Sequence, residues 1–333
     1  MDLPEDQRLK DISPKAYEHP ADRAATAALQ QIPMMDTVVR RLIEFGERSI
    51  FQQLLASAVR LGPDQLPEVY ASHRAALARL DIDYVPDLYV WQMPLTNAMA
   101  IGSKKPMVVL NSGAVSLFDE HEMRTVLGHE AGHILSNHVL YRTALIILLS
   151  LSGVGRLPIF AGLPLLGVRL ALLEWYRAAE LSCDRAATLV TRDPLVTCRT
   201  MLVLAGGMSS RKLNIDAFVR QASEYEDWDS GWDRINRLRT ELLLTHSFPV
   251  RRVKEVMAWV HSGEYDRILG GEFVTRDQAT DTRAAAGDAF EHYVQRFRGF
   301  LKDTGAGMDK AGDRVTEVAD KMSDWLRSSR PSS

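Results

Sequence analysis

The sequence predicts a mainly helical α+β fold, and three observations carry that prediction. Apolar residues recur at helical spacing through most of the chain, before residue 80 and again beyond residue 119. Between them, in residues 87–110, the pattern changes to three short runs of strand-forming residues. Directly afterwards, His129 and His133 fall four apart within Val126-Leu127-Gly128-His129-Glu130-Ala131-Gly132-His133-Ile134-Leu135, where a helix would put both imidazoles on one face. A small antiparallel sheet followed by a metal-binding helix is the expected centre of the fold.

Bulk properties fit that class. Of 333 residues, 46% are hydrophobic and 25% charged, enough for one large core or two ordinary ones. The 40 basic and 43 acidic residues leave a formal net charge of −3 with no basic block, which argues against nucleic acid or an anionic membrane surface as a partner. Cys183 and Cys198 are too few for a disulfide framework and lack C-x-x-C spacing, as suits a reducing compartment. Residues 1–10 show neither a basic nor an apolar signal-peptide region, so the expected location is the cytoplasm.

Residues 1–33 are punctuated by Pro4, Pro14, Pro20 and Pro33 around a short Ala-rich helix at 22–31, and read as an arm lying on the domain. Residues 37–60 carry a broad apolar helical face that includes Val38, Leu42, Phe51 and Leu54, softly interrupted at Gly46, and residues 66–80 form a second helix. These make up an N-terminal helical arm, residues 1–80, ahead of a central domain, residues 81–270. Strands follow at 87–91, 97–101 and 107–110. If residues 97–101 form an edge, the unpaired backbone of Asn97, Ala98 and Met99 can pair with an extended peptide; an ordinary hairpin without a ligand is the other reading.

Asp119-Glu120-His121-Glu122 reads as an N-cap with Glu at the third helical position, and Met123, Val126, Leu127, Ile134 and Leu135 carry the period onward. Two neutral imidazoles four apart are part of a zinc site: a third protein ligand completes the set, water keeps the fourth position, and Glu130 could take that water's proton. Glu180 and Asp184 supply the next observation. They share a helix face among apolar neighbours, so one can ligate metal while the other orients a ligating histidine. Alone, the two would read as a solvated face near Arg177 or Arg185; beside the histidine pair, the metal reading is preferred. His138 would lie about 140° round a continuing helix from His133 and reads as a polar surface residue. Glu174 is an alternative third ligand, without an acid one turn on.

In residues 144–173 only Arg156 and Arg169 are charged. With Pro158, Pro164 and several glycines they leave uncharged runs shorter than the roughly 18–20 residues of a spanning helix. A buried helical pair is preferred to membrane association through this segment. Further on, residues 194–204 read as a helix ended by Gly206-Gly207, 223–231 as an acidic loop, and 233–244 as a helix running into Thr245-His246-Ser247-Phe248-Pro249. His246 there reads as a local cap or as an oxyanion donor reaching the metal cleft. Residues 253–270 look polar and loosely periodic. Residues 271–333 form a C-terminal helical extension, in which Val315, Val318, Met322, Trp325 and Leu326 make a stripe that the domain or a partner helix could cover.

In order along the chain, His129-Glu130-x-x-His133, Glu180-x-x-x-Asp184, and Thr245-His246 ahead of a proline and Arg252 resemble the zinc metallopeptidases of the HtpX and CAAX prenyl protease family, a gluzincin type. The resemblance spans about residues 87–252. It implies a zincin-like catalytic domain with one Zn²⁺ per chain held by His129, His133 and Glu180, and it makes Glu130 the catalytic residue and Asp184 the support of a ligand. It also implies that His246 and Arg252 support a developing oxyanion, and that Asn97, Ala98 and Met99 belong to a substrate-binding edge strand. The family's His-Pro-Pro is here His246-Ser247-Phe248-Pro249, and its clear membrane-spanning segments are reduced to one broken stretch.

The expected activity is zinc-dependent endoproteolysis of peptide or protein substrates, by a metal-activated water with Glu130 as general base. A zinc-stabilised scaffold or chaperone-like protein is the rival from another class; a structural site would use four protein ligands, and only three good ones are found. An aminopeptidase would need an acidic site for the substrate's amine, and residues 97–102 contain none.

Overall fold

The computed structural model describes residues 8–32, 35–151, 165–227 and 248–279, together with residues 293–295 and 298. In chain order its elements are α1 (Pro20–Gln30), α2 (Met35–Ser57), β1 (Ala58–Arg60), α3 (Pro67–Arg79), β2 (Asp87–Trp91), β3 (Ala98–Ile101), β4 (Met107–Asn111) and α4 (Ser112–Leu117). Then come α5 (Glu120–Leu135), α6 (Val139–Ser150), α7 (Leu165–Thr191), α8 (Pro194–Gly206), α9 (Ile215–Asp227), α10 (Pro249–His261) and α11 (Glu264–Leu269). The architecture is the expected one, mainly helical with one small sheet. His246, the helix expected at 233–244 and most of the C-terminal extension expected at 271–333 lie outside the described residues; of that extension, 271–279 are turn or irregular and 293–295 and 298 are helical.

The sheet is mixed, which corrects the antiparallel expectation. Its order is β1-β2-β4-β3. β1 and β3 run antiparallel to their neighbours, but β2 and β4 are parallel, with Asp87 opposite Met107 and Trp91 opposite Asn111. The cause lies in β4: all five of its residues are buried, so it takes a central place with a neighbour on each side. Since β3 and β4 form a hairpin, seating β4 against β2 sends β3 to the edge. β1 was hidden in the expected tail of the preceding helix, because three residues carry too short a pattern to read.

The other correction in the arm concerns Gly46. α2 runs through it unbroken, and the glycine marks a close approach: an added Cβ would lie 2.6 Å from Cγ2 of Ile147. α1 and α2 share an apolar cluster with α6 and α7 that includes Leu29, Val38, Leu42, Leu148, Leu172 and Trp175. The described parts of 144–173 are therefore a buried helical pair, and no helix among the described residues is long and apolar enough to cross a membrane.

A second cluster joins the sheet to α5 and α7 through Leu88, Val108, Leu110, Leu127 and Leu189. Small residues decide how closely those two helices meet. A Cβ at Gly128 would sit 2.9 Å from Cβ of Val190, and one at Gly132 2.7 Å from Cβ of Ala186. Residues 253–270, expected to be loosely periodic, belong to α10 and α11. Their period rests on Val253, Val256 and Trp259 in α10 and on Tyr265 and Ile268 in α11, buried residues at helical spacing. Val253 and Val256 pack with Met201 and Phe218, which presses α10 against α8 and α9 and carries Arg252 inward.

Candidate metal centre

The start of α5 is set by a reciprocal cap: Glu122 N donates to Asp119 Oδ1 at 2.9 Å, and Asp119 N donates to Glu122 Oε2 at 3.0 Å. This fixes the helix phase that places His129 and His133 on the buried face toward α7. Because glycines let the two backbones approach, the facing acids of α7 reach them. His129 Nε2 and His133 Nε2 lie 3.2 Å apart, and Glu180 Oε1 lies 3.2 Å from His133 Nε2 and 3.5 Å from His129 Nε2. Ligands about 2.0–2.1 Å from a tetrahedral zinc are roughly 3.3–3.4 Å from one another, so this triangle fits the ion.

Cys183 also has a sulfur within 4.8 Å of nitrogens of both histidines. It approaches from behind, 3.6 Å from Nδ1 of His138. Burial first, then Glu180, push its thiol well above its ordinary range, which disfavours the thiolate a metal needs. Glu180 is the better-placed third donor. Glu174, the other acid weighed from the sequence, is paired with Arg177.

The acids are themselves held. Asp184 Oδ1 lies 3.0 Å from His129 Nδ1, and since a carboxylate only accepts, His129 presents N–H there and keeps Nε2 for the triangle. Arg252 donates to Asp184 through Nε at 2.8 Å and Nη2 at 2.5 Å, while its Nη1 lies 3.2 Å from Glu180 Oε2. Its fork is thus spent on the two acids, and on Glu180 it meets Oε2, the oxygen opposite the one in the triangle. Burial alone would raise the Asp184 carboxyl, but Arg252 and His129 outweigh it and hold the group below the usual carboxylate range. Burial likewise lowers His129, but Glu180 and Asp184 override it, bringing the ring up to about 9. His133 moves the other way: burial and then the Arg142 charge push it well below its ordinary value.

Glu130 is buried beside the triangle. Its Oε2 accepts from Ala100 N and from Arg142 Nη1, both at 2.6 Å. Arg142 was not singled out in the sequence, although it is the one charged residue of α6 and so needs a buried partner. Its Nη2 also lies 3.4 Å from Ala98 O, and Thr143 Oγ1 accepts from Gly102 N at 2.9 Å. β3 is an edge strand as expected, yet part of its outward backbone is met by Glu130, Arg142 and Thr143. Asn97 and Ala98 line the adjoining cavity. Met99 instead packs beside the sheet cluster of Tyr89, Ile101 and Val109.

His138 corrects the surface expectation. It is buried, with Nδ1 3.2 Å from His133 Nδ1 and Nε2 3.2 Å from Asp22 Oδ2. The angle of a continuing helix does not apply, because α5 ends at Leu135 and Asn137 turns the chain at a φ of 57°.

A cavity of about 640 Å³ opens over His129, Glu130 and Glu180, walled by Leu95, Asn97, Val126, Met201, Leu204 and Phe248. Its size is that of a ligand-binding cleft. The arrangement offers a metal-binding triangle, a fixed carboxylate beside it and room for an extended substrate.

Comparison with known proteins gives a consistent picture. The peptidase family M48 model matches residues 63–260. The chain is 34% identical over 269 residues to the plastoglobule-localized metallopeptidase 48, chloroplastic, of Arabidopsis thaliana, covering 78% of this chain and 77% of that protein. It is 26% identical over 186 residues to a protease HtpX homolog of Pseudarthrobacter chlorophenolicus, covering 50% of this chain and 64% of the relative. A protease HtpX homolog of Paenarthrobacter aurescens is also 26% identical, over 179 residues, 48% of this chain and 62% of the relative. No solved structure matches the chain.

Proposed function

The chain belongs to peptidase family M48, the HtpX-type metallopeptidases, and from that premise we propose that it is a zinc metalloendopeptidase using His129, His133 and Glu180 as ligands and Glu130 as general base. Its reaction class is metal-dependent hydrolysis of peptide or protein substrates. The observation that carries the finer reading is the triangle of ligand atoms, 3.2, 3.2 and 3.5 Å on a side, with Glu130 next to it in the same cavity.

Zinc in that triangle would polarise the scissile carbonyl and acidify the attacking water. Glu130 then handles the proton. Its Oε2 is fixed by Ala100 N and Arg142, which leaves Oε1 to take a proton from the water as the C–O bond forms. The same oxygen returns the proton to the amine nitrogen as the C–N bond breaks. Asp184 keeps Nε2 of His129 available, and Arg252 offsets the negative charge of Asp184 and Glu180 when both are buried. Asn97 and Ala98 line the cavity, and their backbone groups are already bonded: Asn97 N donates to Leu95 O, Asn97 O accepts from Asn111 N, Ala98 N donates to Asn97 Oδ1 and Ala98 O accepts from Arg142, so a substrate backbone pairing here would have to displace these bonds.

A purely structural zinc would have four protein ligands and no need of a carboxylate held beside it. The test is Glu130→Gln, examined by metal analysis and cleavage of an unbiased peptide library. Zinc near one equivalent with hydrolysis abolished is expected. Loss of the metal would make Glu130 a ligand, and retained hydrolysis would remove it as the base.

A further inference from the structure

We propose that Asp22 and His138 are positioning residues of the metal centre: the N-terminal helix fixes the tautomer of His133 from behind, through a buried Asp22, His138, His133 relay. The proposal rests on the reading of His133 as a ligand. It concerns the ring nitrogen that faces away from the metal triangle, which Asp184 serves for His129 and for which His133 has, among the described residues, no carboxylate in direct contact.

The distances define a chain. His133 Nδ1 lies 3.2 Å from His138 Nδ1, and His138 Nε2 lies 3.2 Å from Asp22 Oδ2. His133 and Asp22 are 0% exposed and His138 4%, so the three side chains are shielded from bulk solvent. The rings are wedged in place: His133 stacks on Tyr176 at 5.8 Å with 21° between planes, and His138 meets Trp175 edge-on at 5.6 Å.

Donor and acceptor accounting gives the chain a direction. Asp22 as a carboxylate only accepts; its Oδ2 also accepts a hydrogen bond from Ser182 Oγ at 2.6 Å, and its Oδ1 one from Thr26 Oγ1 at 3.1 Å. The imidazole proton of His138 therefore belongs on Nε2, facing Asp22. In a neutral His138, Nδ1 is then a lone pair, and the nitrogen opposite it must donate. This places the proton of His133 on Nδ1 and leaves Nε2 as a lone pair 3.2 Å from Glu180 Oε1, the form a metal ligand requires. The opposite assignment would set an imidazole lone pair against the Asp22 carboxylate in a dry interior. The other neighbour of His138 Nδ1, Cys183 Sγ at 3.6 Å, is a weak donor at a longer distance.

A carboxylate at the far end also polarises both imidazoles in series, which makes His133 a stronger ligand than a histidine bonded to a neutral group. Asp22 belongs to α1, outside the 63–260 segment matched by the family model. The arm is thus part of the metal site as well as of the apolar packing.

The experiment measures zinc affinity on the full chain by chelator competition, and the unfolding midpoint of the metal-free protein, for four variants. His138→Phe removes the acceptor and should weaken zinc binding about 10–100-fold. His138→Asn keeps an acceptor oxygen near the Nδ1 position and should recover part of that loss. Asp22→Asn, nearly isosteric, should weaken binding about tenfold and keeps the test open if the Phe variant does not fold. Wild-type affinity in folded Asp22→Asn or His138→Phe, with only the midpoint lowered, would overturn the relay. His133→Ala separates the two levels: if it binds zinc normally, the ligand assignment itself fails, whereas its loss of zinc beside unaffected Asp22 and His138 variants refutes the relay alone.

Discussion

Glu130 Oε2 lies 2.6 Å from Arg142 Nη1, and this pair ties the carboxylate assigned as general base to the helix after the metal helix. Both partners are buried. Burial would lower the guanidinium, but Glu130, then Tyr176 and Glu180, more than compensate and keep it above its ordinary value. The pair holds one carboxylate oxygen still and leaves the other to the cavity, an arrangement that suits a group that must move a proton along a defined line.

Arg142→Ala should therefore retain zinc while kcat falls by about 10²-fold, the usual effect of misplacing a reacting group by an ångström. Stability should also fall by roughly 3–5 kcal/mol, since Glu130 is left buried without its cation. Arg142→Lys, which keeps the charge but cannot serve both Glu130 and Ala98, should lie between. Steady-state kinetics on folded, zinc-loaded protein decide the matter; a wild-type kcat would reduce Arg142 to a structural cation.

The third ligand can be tested by subtraction. Glu180→Ala should lose zinc and activity together, whereas Cys183→Ala and Glu174→Ala should keep both, because neither Cys183 nor Glu174 offers an atom in the triangle of 3.2, 3.2 and 3.5 Å. Metal content after dialysis is the measurement. Zinc lost from Cys183→Ala but kept in Glu180→Ala would reverse the assignment.

In the metal-free protein, His129 stays protonated up to about 9, because Glu180 and Asp184 override the effect of burial. Its folded value lies above the ordinary 6.5, so the stability it contributes is fully present below about 6.5 and lost as pH rises through 9. Zinc must displace that proton. His133, pushed well below its ordinary value, is already neutral and adds no proton to the exchange. Zinc affinity should accordingly climb by up to about tenfold per pH unit between 7 and 8.5 and flatten above about 9. Chelator competition across that range checks it, and a flat affinity there would contradict the assignment of His129.

How much of this was visible in the sequence depends on the range of each interaction. The metal helix was legible because its signals are local: a cap at Asp119 and Glu122, a helical period, and His129 and His133 one turn apart. Glu180 and Asp184 were legible as a pair for the same reason, and the structure brings them onto the histidines. What escaped depends on where other segments pack. His138 reads as a surface residue only if the helix continues, whereas α5 stops at Leu135, and its partner Asp22 lies 116 positions away. The parallel pairing of β2 and β4 escaped because register between strands is set by which one is buried on both sides. Arg142 carried a readable signal, a lone charge in an apolar helix, but nothing local named Glu130 as its partner.

The resemblance assigns Arg252 and His246 jointly to the oxyanion, and the contacts of Arg252 point to a different role for it. Arg252 uses Nε, Nη1 and Nη2 on Asp184 and Glu180, so its work lies in holding ligands. Arg252→Lys loses the two-pronged contact and should lower zinc affinity about 10–100-fold, as removal of a ligand's support does elsewhere. For His246, which lies outside the described residues, the oxyanion role rests on the resemblance. If its bond to the oxyanion strengthens as charge develops, His246→Ala should keep zinc and lower kcat by roughly 10²–10³-fold. A histidine that only caps a helix would instead show about 1 kcal/mol of lost stability and an unchanged rate. Measuring zinc affinity, kcat and the unfolding midpoint on both variants separates the roles. The expected result is an affinity defect in Arg252→Lys and a rate defect in His246→Ala; a normal kcat in His246→Ala with a lowered midpoint would take His246 out of the site.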